Sequence, residues 1–174
     1  RWARAIRRAF QQEANARFIV HAGDLINRSN ADEEWAEWHE AAGFIHQMIP
    51  AVPTPGNHEY RRDSLGKLVL DPHWKAQFNL PRNGPEGIQD AVYYLDYQDL
   101  RMISLNSQLI MLDSTAATIQ EKWLEKVLSS SPKKWNIVVM HHPVYSTAKN
   151  RDNTILRERF KPVSYTHLTL PTKA

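Results

Sequence analysis

The chain has 174 residues, 42% of them hydrophobic and 24% charged, which is the composition of one ordinary globular domain. It contains no cysteine, which excludes a disulfide framework and thiolate metal ligands and leaves His, Asp, Glu and Asn as candidate ligands. The 22 basic and 19 acidic residues give a net charge of +3, which suits an anionic substrate, but their mixed distribution predicts no nucleic-acid platform.

The first half of the chain alternates helical and strand patterns. The predicted elements are a helix at residues 2–15, a strand at 17–21, a helix at 30–49 and a strand at 51–54. Asn30 is expected to cap the second helix, with Glu33 at the capping-box position. No stretch approaches the roughly 18 apolar residues of a membrane helix, so no membrane span is predicted.

The second half is predicted to contain a β-rich insertion before the α/β pattern returns. Its elements are a surface excursion at 61–90, a hairpin at 92–97 and 100–105, a strand at 109–112, a helix at 115–128, a strand at 136–140 and a helix at 153–160. This order predicts a layered α/β domain.

Polar residues follow three of the predicted strands. Asp24 comes after the first strand, the segment 56–59 after the second, and His141 after the strand at 136–140. Each is explained, taken singly, as a turn residue or a strand-end histidine. Because open α/β sheets place their sites at the carboxyl ends of strands, we expect the three together to form one site.

Gly23-Asp24, Gly56-Asn57-His58-Glu59 and His141-x-Pro143 together resemble, in order and approximate spacing, the motifs of the calcineurin-like metallophosphoesterases. The context is similar to the bacterial branch related to purple acid phosphatases. The resemblance covers residues 1–162 and implies a four-layer α/β/β/α sandwich, incomplete at both ends. Residues 163–174 resemble translated adapter sequence and are predicted to be a non-native tail.

The resemblance also implies a chemistry. Two divalent ions, Mn, Fe, Zn or Co, would be held with Asp24 as the bridging ligand and with Asn57 and His141 on the second ion. A metal-bridging hydroxide would attack the phosphorus of a phosphomonoester or phosphodiester. His58 would protonate the leaving oxygen.

Four further residues are weaker candidates for contact with the substrate or with the metal ligands. His21 is better explained as a core residue, and His142 either faces the phosphate or points away from it. Arg61 would hold a phosphate oxygen or face water, and Glu59 completes the G-N-H-E segment.

The sequence departs from the family pattern in ways that predict a fragment. Asn27 stands where the purple enzymes have tyrosine, no D-x-H or D-x-Q motif precedes residue 17, and no G-H-x-H follows His141. We therefore expect half a site, no activity in the fragment itself, and an additional N-terminal domain in the parent. By resemblance the parent is exported. The alternative is a noncatalytic binding or scaffolding member of the same fold.

Overall fold

The computed structural model describes residues 1–149 and 151–167. The chain forms two compact units, unit 1 with residues 1–78 and unit 2 with residues 79–174. Both contain helices and strands, which confirms the predicted α/β class. Residues 168–174, most of the predicted non-native tail, lie outside the described residues. None of the helices within the described ranges is long and apolar enough to cross a membrane.

Unit 1 contains two small sheets. Its elements are α1 (Trp2–Gln12), β1 (Ile19–His21), α2 (Asp32–Ala42), α3 (Phe44–Met48), β2 (Ala51–Pro53), β3 (Tyr60–Arg62), β4 (Leu68–Leu70) and α4 (Pro72–Gln77). Strands β1 and β2 are parallel, with Ile19 opposite Ala51 and His21 opposite Pro53. The loops that follow these strands therefore leave from the same end of the sheet. Strands β3 and β4 form an antiparallel hairpin.

The core of unit 1 lies beneath α1. Ile6 of this helix is buried with Ile45 and Ile49 in one apolar cluster. Trp2 stacks on Trp38 with ring centroids 6.4 Å apart, and its indole N–H donates to the Trp38 carbonyl oxygen at 3.3 Å. Helix α1 is thus fixed against α2 by both apolar and polar contacts.

The helix predicted at residues 30–49 is in fact two helices. Gly43 separates α2 from α3 with a φ of +54°, a conformation that favours glycine, and its N–H donates to the His39 carbonyl oxygen. The predicted cap at Asn30 is also wrong, because α2 begins at Asp32 without a side-chain cap. The loop before α2 is instead held by Glu34, whose carboxylate accepts the N–H groups of residues 27 and 28, each at 2.7 Å.

Unit 2 is built around a three-stranded sheet. Its described elements are β5 (Tyr93–Tyr97), β6 (Leu100–Ser104), α5 (Ser107–Leu112), α6 (Ser114–Ser129), β7 (Trp135–Val139) and α7 (Thr154–His167). The strand order is β5-β6-β7, with β5 antiparallel and β7 parallel to the central strand. The hairpin predicted from the sequence is confirmed.

The strand predicted at residues 109–112 is wrong, because these residues belong to α5. Asn106 caps this helix by accepting the Leu109 N–H at 3.1 Å. A short apolar run does not distinguish a strand from a buried helical turn, and here the capping residue decides the outcome. Ile110 of α5 packs with Leu124 and Leu156 in the buried cluster of unit 2.

Asn83 is hydrogen-bonded to the outer strand β5. Its side-chain amide donates to the Tyr94 carbonyl oxygen at 2.8 Å and accepts the Tyr94 N–H at 3.0 Å. The next residue is Gly84, where a Cβ atom would collide with the Val92 carbonyl group. Glycine at this position allows the chain to approach β5 closely.

Candidate active site

Asp24 and Asn57 lie in the two loops that leave the same end of the β1–β2 sheet. Asp24 has a φ of +54° and follows Gly23, which has a φ of +87°. Positive φ is uncommon outside glycine, although Asp tolerates it better than most residues. The side chain of Asp24 is 31% exposed. The structure therefore presents a carboxylate on a strained turn at the end of a parallel strand.

Glu59 joins these two loops through its carboxylate. Its side chain is completely buried. Oε2 accepts the N–H of Asp24 at 3.0 Å and that of Gly56 at 2.6 Å, and Oε1 accepts the N–H of Leu25 at 2.7 Å. One carboxylate is thus hydrogen-bonded to the loop of Asp24 and to the loop of Asn57. This geometry makes Glu59 a positioning residue, because its buried oxygens have no access to a substrate.

The charge of Glu59 is costly in this position. Burial raises the pKa of the carboxyl group, and the nearby charge of Asp24 adds to the rise. The backbone N–H groups of Gly56, Leu25 and Asp24 lower the pKa and offset part of this effect. Loss of these donors would leave a buried carboxylate without compensation.

His58 is held in a fixed orientation next to Asp24. Its backbone N–H donates to Asp24 Oδ1 at 3.0 Å. Its ring Nδ1 lies 2.7 Å from the carbonyl oxygen of Asn27, which only accepts, so Nδ1 carries a hydrogen. Nε2 lies 3.9 Å from Asp24 Oδ2, and the side chain is 40% exposed. Nε2 is therefore the nitrogen that faces a ligand or solvent.

Arg61 lies in β3, directly after the turn that carries Asn57 and His58. Its Nε forms an ion pair with Asp71 Oδ2 at 2.7 Å, and Asp71 is buried. Sequence reasoning missed Asp71. The available signal was the Asp71-Pro72 pair. An Asp before a Pro is a common start of a helix, and Asp71 caps α4.

His21 lies in the core of unit 1. It ends β1, is 7% exposed, and packs edge-on against Trp2 and Trp38 with ring centroids 5.4 and 5.2 Å apart. Its Nε2 is buried without a hydrogen-bond partner, as is Nε2 of the neighbouring His46. Burial, with a contribution from His46, lowers the pKa of His21 to about 4. His21 is thus neutral in the folded chain at neutral pH.

His141 and His142 belong to unit 2 and follow β7. Their rings contact each other edge to face at 4.8 Å. Ser107, fully buried at the start of α5, fixes His142: its Oγ accepts the backbone N–H at 3.1 Å and lies 2.9 Å from the ring Nδ1. The sequence does not predict a role for Ser107, because the apolar run at residues 109–112 predicts a strand and not a helix that starts at Ser107.

Asp24, Asn57 and His141 offer a carboxylate oxygen, an amide oxygen and an imidazole nitrogen, a donor set that suits Mn, Fe, Zn or Co. Unit 1 brings the loops of Asp24 and Asn57 together, and His141 lies in unit 2. Within residues 1–149 and 151–167, no three His, Asp or Glu side chains are grouped as a metal site. The chemistry of the donor atoms thus favours a divalent ion: Asp24 and Asn57 of unit 1 offer oxygen ligands.

One comparison with known proteins shows the family, and another finds similar folds. The model of the calcineurin-like phosphoesterases matches residues 1–167. A purple acid phosphatase from yellow lupin (Lupinus luteus) seeds has a similar structure, with a TM-score of 0.76 and 20% identity over 93% of this chain and 30% of that chain. The chain therefore spans less than a third of that protein.

A second similar structure is GAP50, described as the anchor in the inner membrane complex of Plasmodium. Its TM-score is 0.56, at 16% identity over 95% of this chain and 57% of that chain. At these identities both likenesses concern the fold alone. No curated protein sequence matches the chain significantly.

Proposed function

Because the chain belongs to the calcineurin-like phosphoesterase family, we propose that it forms part of the catalytic site of a metal-dependent phosphoric ester hydrolase. The observation that carries this proposal is the joining of two loops by Glu59, which places Asp24 and the turn of Asn57 and His58 next to each other. A carboxylate, an amide and a half-exposed imidazole at the ends of parallel strands are the groups that such chemistry requires.

In unit 1 the residues that would hold metal are Asp24 and Asn57, and in unit 2 His141 offers an imidazole ligand. When bound, divalent ions would activate water and stabilise the negative charge that develops on the phosphoryl oxygens. The partly exposed Asp24 carboxylate is accessible to such an ion. Glu59 contributes by fixing the backbone on both sides of this carboxylate.

His58 would transfer the proton. Its Nδ1–H is committed to the Asn27 carbonyl oxygen, so the proton for a leaving oxygen would come from Nε2. The hydrogen bond from the His58 backbone N–H to the Asp24 carboxylate holds the two residues next to each other. Asn27 thus orients the ring through its main chain.

The test is Mn²⁺-dependent hydrolysis of p-nitrophenyl phosphate by the natural protein that carries this chain. Asn57→Ala and His58→Ala are each expected to lower kcat/KM by about 100-fold or more, the usual contribution of a metal ligand or a general acid. His39→Ala, an exposed histidine of α2, is the matched control and should retain full activity. Unchanged activity in both Asn57→Ala and His58→Ala would refute the assigned roles.

The same variants can separate the two ester classes. Parallel assays with bis(p-nitrophenyl) phosphate measure the rate on a diester. A ratio of kcat/KM values that favours one substrate by tenfold or more assigns the class, and His58→Ala should lower the rate on both substrates, because both release the same p-nitrophenyl leaving group.

The second candidate function is a noncatalytic binding or scaffolding role. The fold-level likeness to a protein described as an anchor favours it. A natural protein that binds Mn²⁺ through Asp24 and Asn57 but hydrolyses neither phosphate ester would support this role. Metal-dependent turnover would exclude it.

A further inference from the structure

We propose that Arg61 binds a phosphate oxygen of the substrate and that Asp71 is the positioning residue that orients it. This inference rests on the proposed phosphoester chemistry and names a recognition residue for the same site. It follows from the contacts that the buried carboxylate of Asp71 makes, from the exposure of the Arg61 guanidinium, and from the loops to which both are attached.

Asp71 is buried, with 1% of its surface exposed, and four donors contact its carboxylate. Oδ1 accepts the backbone N–H of His73 at 2.9 Å and lies 2.6 Å from its ring Nδ1. Oδ2 accepts the Ser29 hydroxyl at 3.2 Å and forms an ion pair with Nε of Arg61 at 2.7 Å. Because three donors other than Arg61 already surround Asp71, the buried carboxylate does not depend on the arginine for its hydrogen bonds.

The contact with Asp71 leaves the other edge of the Arg61 guanidinium available. Nε is used by Asp71, whereas Nη1 has a contact of only 3.5 Å with the Arg62 carbonyl oxygen. The side chain is 43% exposed. A planar guanidinium that pairs with Asp71 through Nε, on a side chain that is nearly half exposed, has the geometry for binding two oxygens of a phosphate.

The neighbouring arginine does not share this arrangement. Arg62 follows on the same strand and donates from Nη1 to the Gly66 carbonyl oxygen at 2.6 Å, within the β3–β4 hairpin. Because successive residues of a strand point to opposite faces, Arg62 and Arg61 face different sides. Arg62 is therefore a matched control of the same charge and nearly the same position.

Arg61 is attached to the loop of Asn57. The N–H of Tyr60 donates to the Asn57 carbonyl oxygen at 3.3 Å, which closes a tight turn just before Arg61. The N–H of Asp71 donates to the Glu59 carbonyl oxygen at 3.0 Å. Asp71 is therefore hydrogen-bonded to the segment that carries His58, and Arg61 follows the turn of that segment directly.

Asp71 is also attached to the loop that follows β1. Ser29, five residues after Asp24, donates to the carboxylate oxygen that forms the ion pair with Arg61. The Arg61 guanidinium therefore lies beside the loop that presents Asp24. An arginine placed between the two loops of the candidate site is suited to a phosphate held by their side chains.

The experiment is a titration of the ¹⁵N-labelled 174-residue chain with inorganic phosphate in the absence of metal, followed by the arginine Nε–Hε resonances. We expect a saturable shift of the Arg61 resonance. Arg61→Lys should weaken phosphate binding about tenfold, because lysine keeps the charge but lacks the planar fork. Asp71→Asn should weaken it several-fold, whereas Arg62→Lys should leave it within twofold.

A second measurement tests the positioning role without altering Asp71. ¹⁵N relaxation of Nε should show Arg61 to be more rigid than Arg62 in the free chain. Equal mobility of the two side chains would overturn the positioning role of Asp71. Because this measurement uses the wild-type chain, it does not require that Asp71→Asn folds. Arg61→Lys with unchanged phosphate affinity, or equal shifts at Arg61 and Arg62, would overturn the binding role.

The titration involves neither metal nor turnover. A natural protein without hydrolytic activity would refute the proposed function and leave phosphate binding at Arg61 standing. Conversely, a chain that does not bind phosphate through Arg61 would leave the roles of Asn57 and His58 to be decided by the hydrolysis assay.

Discussion

The loops of Asp24 and Asn57 in unit 1 are fixed in a different way from the histidine pair of unit 2. In unit 1 a buried charged group, the Glu59 carboxylate, accepts three backbone N–H groups. In unit 2 a neutral hydroxyl, that of Ser107, contacts the main chain and the ring of His142. Hydrogen bonds to charged groups contribute about twice as much as neutral ones. The unit 1 loops therefore depend on Glu59 far more than the histidine pair of unit 2 depends on Ser107.

Glu59→Ala should give the largest effect. It removes the acceptor of three N–H groups around a fully buried side chain, and unsatisfied buried donors cost about 1–3 kcal/mol each. We expect a loss of about 4 kcal/mol in the free energy of unfolding, measured by urea denaturation. Glu40→Ala on the exposed face of α2 is the control. A loss below about 1 kcal/mol would contradict the role of Glu59 in joining the loops.

The buried His21 should make the stability of unit 1 depend on pH. Its pKa of about 4 in the folded chain lies below the ordinary value of 6.5, so the unfolded chain binds a proton that the folded chain does not. The unfolding free energy should therefore fall as the pH is lowered from 7 to 5, by about 2 kcal/mol.

Two other groups with shifted pKa values also contribute to this pH dependence. The lowered pKa of His46 acts in the same direction as that of His21, whereas the raised pKa of Glu59 favours the folded chain as the pH falls. His21→Phe keeps an aromatic ring and removes one titrating group. The difference between the wild-type and variant pH profiles therefore isolates His21, and parallel profiles would show that its pKa is not lowered.

Ser107→Ala is the counterpart of Glu59→Ala in unit 2 and should have a smaller effect. It removes a neutral hydroxyl with two contacts to His142, for which about 1 kcal/mol of unfolding free energy is expected. The ring resonances of His142 should also broaden or shift, because its Nδ1 loses its partner. An effect as large as that of Glu59→Ala would remove the distinction between the two regions.

Asn57→Ala should change stability least, by less than about 0.5 kcal/mol, because the half-buried Asn57 side chain would serve a ligand and not the fold. The same variant is expected to weaken Mn²⁺ binding, which water proton relaxation measures. If Asn57→Ala were strongly destabilised, the Asn57 side chain would stabilise the fold, as that of Glu59 does.

The sequence predicted those parts of the fold and of the site that local patterns determine. Apolar runs identified β1, β2 and the β5–β6 hairpin, and the polar loops after them identified Asp24 and Asn57. Local patterns failed where a short run fits more than one structure or where one residue interrupts a longer pattern. The four-residue apolar run in α5 has no period of its own, and Gly43 interrupts a helical pattern that otherwise continues.

The supporting residues were the least predictable part of the site. Glu59 is adjacent to His58 in sequence, yet its role depends on N–H groups of residues 24 and 25, more than thirty positions away. The role of Asp71 likewise becomes visible only from its contacts with Ser29 and Arg61. A sequence shows which residues carry reactive groups, whereas the residues that orient them become visible only once loops are paired.

The side chain of Asn83 has a consequence for association between chains. Its amide occupies the N–H and C=O of Tyr94 on the outer side of β5, where an added strand from another molecule would otherwise pair. Gly84 keeps this segment close to the strand. The main-chain groups of Tyr94 are therefore closed to a strand of another molecule by a single amide that imitates a neighbouring strand.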